Sequence, residues 1–67
     1  MRIYIGWKIK QLSDEIFDNI NGAEIIGNGK IRKTYFYTVK LKSGELRTIR
    51  REPLLDAYSK KQIEFYV

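Results

Sequence analysis

The chain has neither cysteine nor histidine, and at 67 residues that absence is its strongest constraint. A domain of this length buries only about 60% of the surface its unfolded chain exposes, and small scaffolds commonly add a disulfide or a structural metal. Without Cys or His, disulfides, thiolate metal centres and the usual zinc and copper ligand sets are excluded, and no cofactor is expected. The fold must therefore rest on packing. The sequence supplies ten Ile, five Tyr, three Phe and one Trp for it. Such β-branched and aromatic side chains fit half-buried pleated surfaces, so the expectation is a single mainly β domain over residues 1–67.

Periodicity places the elements. Arg2–Ile9 alternates, with Ile3, Ile5, Trp7 and Ile9 on one face, which predicts a strand. Leu12–Gly22 reads as a short helix. Ser13 is its N-cap, Asp14 and Glu15 occupy the first turn, and Leu12 with Phe17 forms a staple. Ile16, Phe17 and Ile20 make the apolar face, and Gly22 is the left-handed stop; an irregular loop with one helical turn is the competing reading. Ala23–Ile26 is a short strand and Gly27-Asn28-Gly29 a turn, since Gly and Asn tolerate positive φ. Ile31–Lys42 is the longest predicted strand. Ile31, Lys33, Tyr35, Tyr37, Val39 and Leu41 share one face; Arg32, Thr34, Phe36, Thr38, Lys40 and Lys42 share the other. Lys42-Ser43-Gly44 suits a type I turn closed by a glycine bulge. Glu45–Arg51 then returns, with Leu41 opposite Glu45, Val39 opposite Arg47 and Tyr37 opposite Ile49. Pro53 ends that strand and opens a helical turn through Leu54, Leu55 and Tyr58. Ile63–Val67 closes the chain as a strand with Ile63, Phe65 and Val67 on one face.

About five short strands with a tight hairpin predict a small closed or nearly closed barrel, because closure removes adhesive edges. The pattern Tyr37-x-Val39-x-Leu41-x-x-Gly44-x-x-x-x-Ile49, followed by Leu54-Leu55, resembles the central hairpin of SH3-like barrels, in particular KOW and Tudor-type modules. The resemblance spans roughly Gly22 to Val67 at the level of the superfold. The Leu12–Asn21 helix departs from it and would be an insertion after the first strand, and no Tudor-type aromatic cage maps onto individual residues. The resemblance implies binding of nucleic acid or of protein, and fold alone does not choose between them.

Charge narrows the choice. The net charge is +5, and the excess lies in one stretch: Lys30, Arg32, Lys33, Lys40, Lys42, Arg47, Arg50 and Arg51 stand against Glu45 alone. Such asymmetry creates a local field that attracts anionic partners. The candidate nucleic-acid-binding residues are Arg32, Phe36, Lys40, Lys42, Arg47, Arg50 and Arg51. Arg32, Phe36, Lys40 and Arg50, with Thr34, Thr38 and Thr48, form an expected flat cationic face carrying a ring, suited to phosphate contact with low sequence preference. An acidic protein partner is the alternative, for an adaptor or inhibitor. A merely solvated face, with Phe36 in a minor core under the helix, is the third reading. Neighbours on a strand point to opposite faces, so Arg50 and Arg51 are not expected to act as one clamp.

Other constellations have plainer readings. Asp14, Glu15 and Asp18 fit helix-start electrostatics better than a metal site. Gly27-Asn28-Gly29-Lys30 lacks the spacing of a nucleotide phosphate loop. Trp7 and the tyrosines read as core and rim, and nothing indicates base stacking by Tyr35 or Tyr66. Catalysis lacks its commonest acid–base and nucleophile pairs, so no enzyme is expected. The sequence shows no signal-peptide pattern and no apolar run of about 18 residues. Together with the absence of Cys, this leads to the expectation of a cytoplasmic chain without membrane contact. A monomer is expected, or a weak homodimer through the Ile63–Val67 edge. The Ile-, Lys-, Asn- and Tyr-rich usage is the composition of an AT-rich genome and would suit a phage or mobile-element accessory protein.

Overall fold

In the computed structural model, which describes residues 2–13 and 19–67, the alternating N-terminal segment is broken in two. Gly6 at φ 98° turns the chain, and the Trp7 amide donates to the Tyr4 carbonyl across that turn at 3.2 Å. Strand β1 therefore begins only at Lys8 and covers Lys8–Gln11. Ile3 and Ile9 are buried as expected, but Ile5 is exposed, because a turn cancels the facing that alternation alone would assign.

The next difference is larger. Gly27-Asn28-Gly29 is not a turn but the middle of β2, Glu24–Ile31. Its partner β3 is Thr34–Lys40, and the two are joined by the two-residue loop Arg32-Lys33. Arg32 sits at φ 57° while Lys33 does not have positive φ, the φ pattern of a type II′ hairpin turn, which favours Gly at that first position. The long strand predicted from Ile31 is thus cut, and Ile31 falls on the opposite face, exposed beside Thr34. Two glycines in a strand have another use: they mark bulges and open faces. The register shifts between Ile25 and Gly27, making Ile26 the extra residue of a bulge.

The second hairpin matches the sequence reading. Strand β4, Leu46–Arg50, pairs with β3 so that Tyr37 meets Ile49 and Val39 meets Arg47. The Leu41 amide donates to the Glu45 carbonyl at 2.8 Å, and Gly44 at φ 92° supplies the left-handed residue closing the loop. Helix α1, Arg51–Ser59, then starts two residues ahead of Pro53 and is longer than the single predicted turn. Proline within the first helical turn removes an amide that has no intrahelical partner, so it does not delay the start. Strand β5, Ile63–Tyr66, ends the chain's regular structure; Val67, expected on the core face, is 97% exposed.

Among the described residues five strands form one antiparallel sheet in the order β4-β3-β2-β1-β5. Strands β4 and β5 are its two edges, and α1 packs against β3, β4 and β5. The core lies between sheet and helix. Ile9, Ile20, Ile25, Val39, Leu54 and Ile63 are fully enclosed, each contributing about 1.5–3 kcal/mol by removal from water. Leu54 and Ala57, one turn apart, form the buried stripe of α1.

The predicted helix after the first strand rests on Asp14–Asp18, which lie outside the described residues, as does the Asp14–Glu15–Asp18 acidic group. Its two flanks are fastened by Gln11. The Gln11 side-chain amide donates to the Ser13 carbonyl at 2.9 Å, and its oxygen accepts from the Ile20 amide at 3.1 Å. The Asn21 side chain accepts from the Gln11 backbone at 2.9 Å. Among the described residues no helix is long and apolar enough to cross a membrane.

Candidate functional site

The hairpin register sorts the seven predicted site residues into two groups at opposite ends of the sheet. Partners across strands share a face, so the outer face reads in rows: Gly29–Phe36–Arg50, Gly27–Thr38–Thr48 and Glu24–Lys40–Leu46. Phe36, Lys40 and Arg50 do share the expected face with Thr34, Thr38 and Thr48. The face is less cationic than expected, because Lys40 lies between Glu24 and the exposed Leu46. Arg32 projects from the β2–β3 loop at the Phe36 end.

Lys40, Lys42 and Arg47 belong to the other end, where β3 turns into β4. Lys40 is five positions along β3 from Tyr35, about 17 Å of strand. Each of these cations has a local neighbour. The aliphatic stem of Lys42 lies against Gly22. Arg47 Nε donates to Glu45 Oε2 at 3.0 Å in an exposed ion pair. Such a pair contributes at most about 1 kcal/mol to stability, but Glu45 offsets the Arg47 charge there.

The stronger site is at the β2–β3 loop end and on the sheet's inner face. Because the loop is Arg32-Lys33, Lys30 comes directly opposite Tyr35. The last β3–β4 pair is Phe36 with Arg50, so one residue further on Arg51 approaches Tyr35 from the start of α1. Lys30 Nζ lies 5.0 Å from the Tyr35 ring centroid, and the Arg51 guanidinium carbon 5.8 Å from it. A cation and a ring at these distances attract by about 0.5–1 kcal/mol where water has access.

Tyr35 separates two clefts. The larger, about 450 Å³, is lined by Arg2, Tyr4, Lys30, Tyr35, Tyr37 and Arg51 among others, with no carboxylate among its described lining residues. The smaller, about 110 Å³, is lined by Lys33, Arg50, Arg51, Glu52 and Leu55 on either side of Thr34 and Tyr35. Five cations thus line the two clefts flanking Tyr35, Lys30 and Arg51 of them against the ring itself, with Glu52 the single carboxylate among the described lining residues. Glu52 sits in the first turn of α1, where the helix dipole favours an acid. Arg50, the N-cap, has no side-chain capping bond, and the positive end of α1 adds to the same field.

Arg50 and Arg51 both line the smaller cleft, because the strand ends between them and the helix begins at Arg51. Arg2, Lys30 and Tyr35 lie at the same end as Arg50 and Arg51, whereas Lys40, Lys42 and Arg47 lie at the other. Lys30 opposite Tyr35 would follow from sequence once the turn is put at Arg32-Lys33, but that turn carries no Gly, Asn or Pro to announce it. Arg2 arrives through the Gly6 turn, a tertiary placement that no local pattern encodes.

Tyr4, which also lines the larger cleft, is braced by rings. Its centroid is 5.1 Å from that of Trp7, which is 5.9 Å from Phe65, which in turn stacks on Tyr58 at 5.6 Å. Trp7 and Phe65 pack on the core, so the row ties Tyr4 to the body of the fold. Comparison with protein-family models, with curated proteins and with solved structures finds no match to this chain.

Proposed function

We propose that the chain is an SH3-like small-barrel module that binds nucleic acid in the cytoplasm without catalysing a reaction, through the cationic end around Tyr35. The fold part of this reading is supported by the order β3, glycine turn, β4, helix, β5, the arrangement implied by the resemblance to KOW and Tudor-type modules. The functional part is carried by one observation: Arg2, Lys30, Lys33, Arg50 and Arg51 line the two clefts on which an exposed tyrosine borders, with one carboxylate among the described lining residues. Like charges gathered this closely oppose folding, and a polyanion relieves the opposition. Phosphates satisfy guanidinium and ammonium donors without sequence information, so the binding has low sequence preference.

An acidic protein segment is the second reading. Its support is that β4 is an edge strand, open to pairing, with Arg47 and Arg50 along it. Titration of labelled oligonucleotides at several salt concentrations, with poly-glutamate as the competing polyanion, separates the two. Three to five neutralised phosphates give a log–log salt slope of about −2 to −3.5 for a single strand. Absence of binding at low salt refutes the nucleic-acid reading, and equal binding of poly-glutamate favours the protein one.

A further inference from the structure

We infer that the cleft between Tyr4 and Tyr35 takes unpaired nucleotides, with a base stacked on Tyr35 and the flanking phosphates on Arg2, Lys30 and Arg51, so that single strands are preferred over duplex. This deepens the proposed function and rests on it. A duplex offers phosphates and groove edges, while the faces of its bases are hidden by stacking. The five cations would serve either form of nucleic acid; the rings distinguish them.

Tyr35 and Tyr4 are 48% and 53% exposed and both line one groove. The groove's volume, about 450 Å³, falls within the range of small-ligand sites and is large enough for a nucleotide. Tyr4 packs on the Trp7 ring, so it costs little ordering when a ligand arrives. Asn28, on the same inner face as Tyr37, brings a side-chain amide that can donate to and accept from a base edge. The cations over Tyr35 do not block this use. An exposed cation–ring contact is worth about two- to fivefold in an equilibrium constant. Base stacking on an aromatic side chain is worth about five- to 150-fold. Lys30, itself exposed, can leave the ring for a phosphate while the base takes its place, and the exchange is favourable.

The test uses fluorescence anisotropy with a labelled 12-nucleotide oligothymidine and a 12-base-pair duplex at low salt, for the unaltered chain and for Tyr35→Leu, Tyr35→Phe and Tyr4→Leu. The expected result is tighter binding of the single strand. Tyr35→Leu should weaken it at least about fivefold at an unchanged salt slope, and Tyr35→Phe should keep it near the original value. Tyr4→Leu gives a second, independent loss should Tyr35→Leu disturb the hairpin. Duplex binding as tight as single-strand binding, or leucine variants that bind like the parent, overturns the inference while leaving phosphate-driven binding in place. Failure of both nucleic acids to bind at low salt removes the proposed function and this inference together.

Discussion

Gly29→Ala separates the strand from the turn that the sequence signals. In the structure Gly29 lies within β2 opposite Phe36, does not have positive φ, and has open space where a Cβ would stand, with no atom within 4 Å. Alanine can adopt that conformation without strain and loses less chain entropy on folding, a gain of about 0.5–1 kcal/mol. For a domain of this size the melting temperature should rise by about 2–8 °C. Were Asn28-Gly29 a tight turn needing a left-handed residue, the same change would cost about 1–2 kcal/mol. The internal standard is Gly44→Ala, where φ is 92° and a Cβ also meets nothing, so the loss expected there comes from backbone alone. Thermal melts followed by circular dichroism compare the three proteins. If Gly29→Ala falls in parallel with Gly44→Ala, the β2–β3 register is wrong. The pairing of Lys30 with Tyr35, and with it the site, would then be lost.

Two further changes test the scaffold. Gln11→Met removes the acceptor for the buried Ile20 amide and the donor to the Ser13 carbonyl, and should cost about 1–3 kcal/mol, read as a lower urea midpoint. Leu54→Ala empties a fully enclosed position under the sheet and should cost about 2–5 kcal/mol. That is comparable to the whole stability of so small a core, so near-complete unfolding at 25 °C by circular dichroism is expected.

The legible parts of the fold were those where the pattern is local and strong. The β3–β4 register followed from alternation on both sides of a glycine turn, and the core positions Tyr37, Val39, Leu41 and Ile49 followed from the register. The β2–β3 hairpin was misread because its turn uses Arg32-Lys33, a pair with no turn propensity, while the strand interior carries the glycines. Pairing with β3, whose Tyr37 and Val39 lie against the core, overrides the local signal of Gly27-Asn28-Gly29. The candidate site was half legible for the same reason. Its charge, and Arg50 and Arg51 among its members, were visible as a basic stretch. The partition of that stretch into a paired, dispersed end and a convergent end depends on which residues face each other. Lys40 beside Glu24 and Arg47 beside Glu45 are contacts of register and loop geometry, not of composition.

The location of the site is the central claim, and an NMR titration of isotopically labelled protein with a short single-stranded oligonucleotide tests it most directly. The account expects the largest backbone shift changes at Lys30, Lys33, Tyr35 and Arg50–Glu52, with Arg2 and Tyr4 moving with them and Lys40, Lys42 and Arg47 nearly still. Shifts centred on Lys40–Arg47 with a quiet Tyr35 would contradict it.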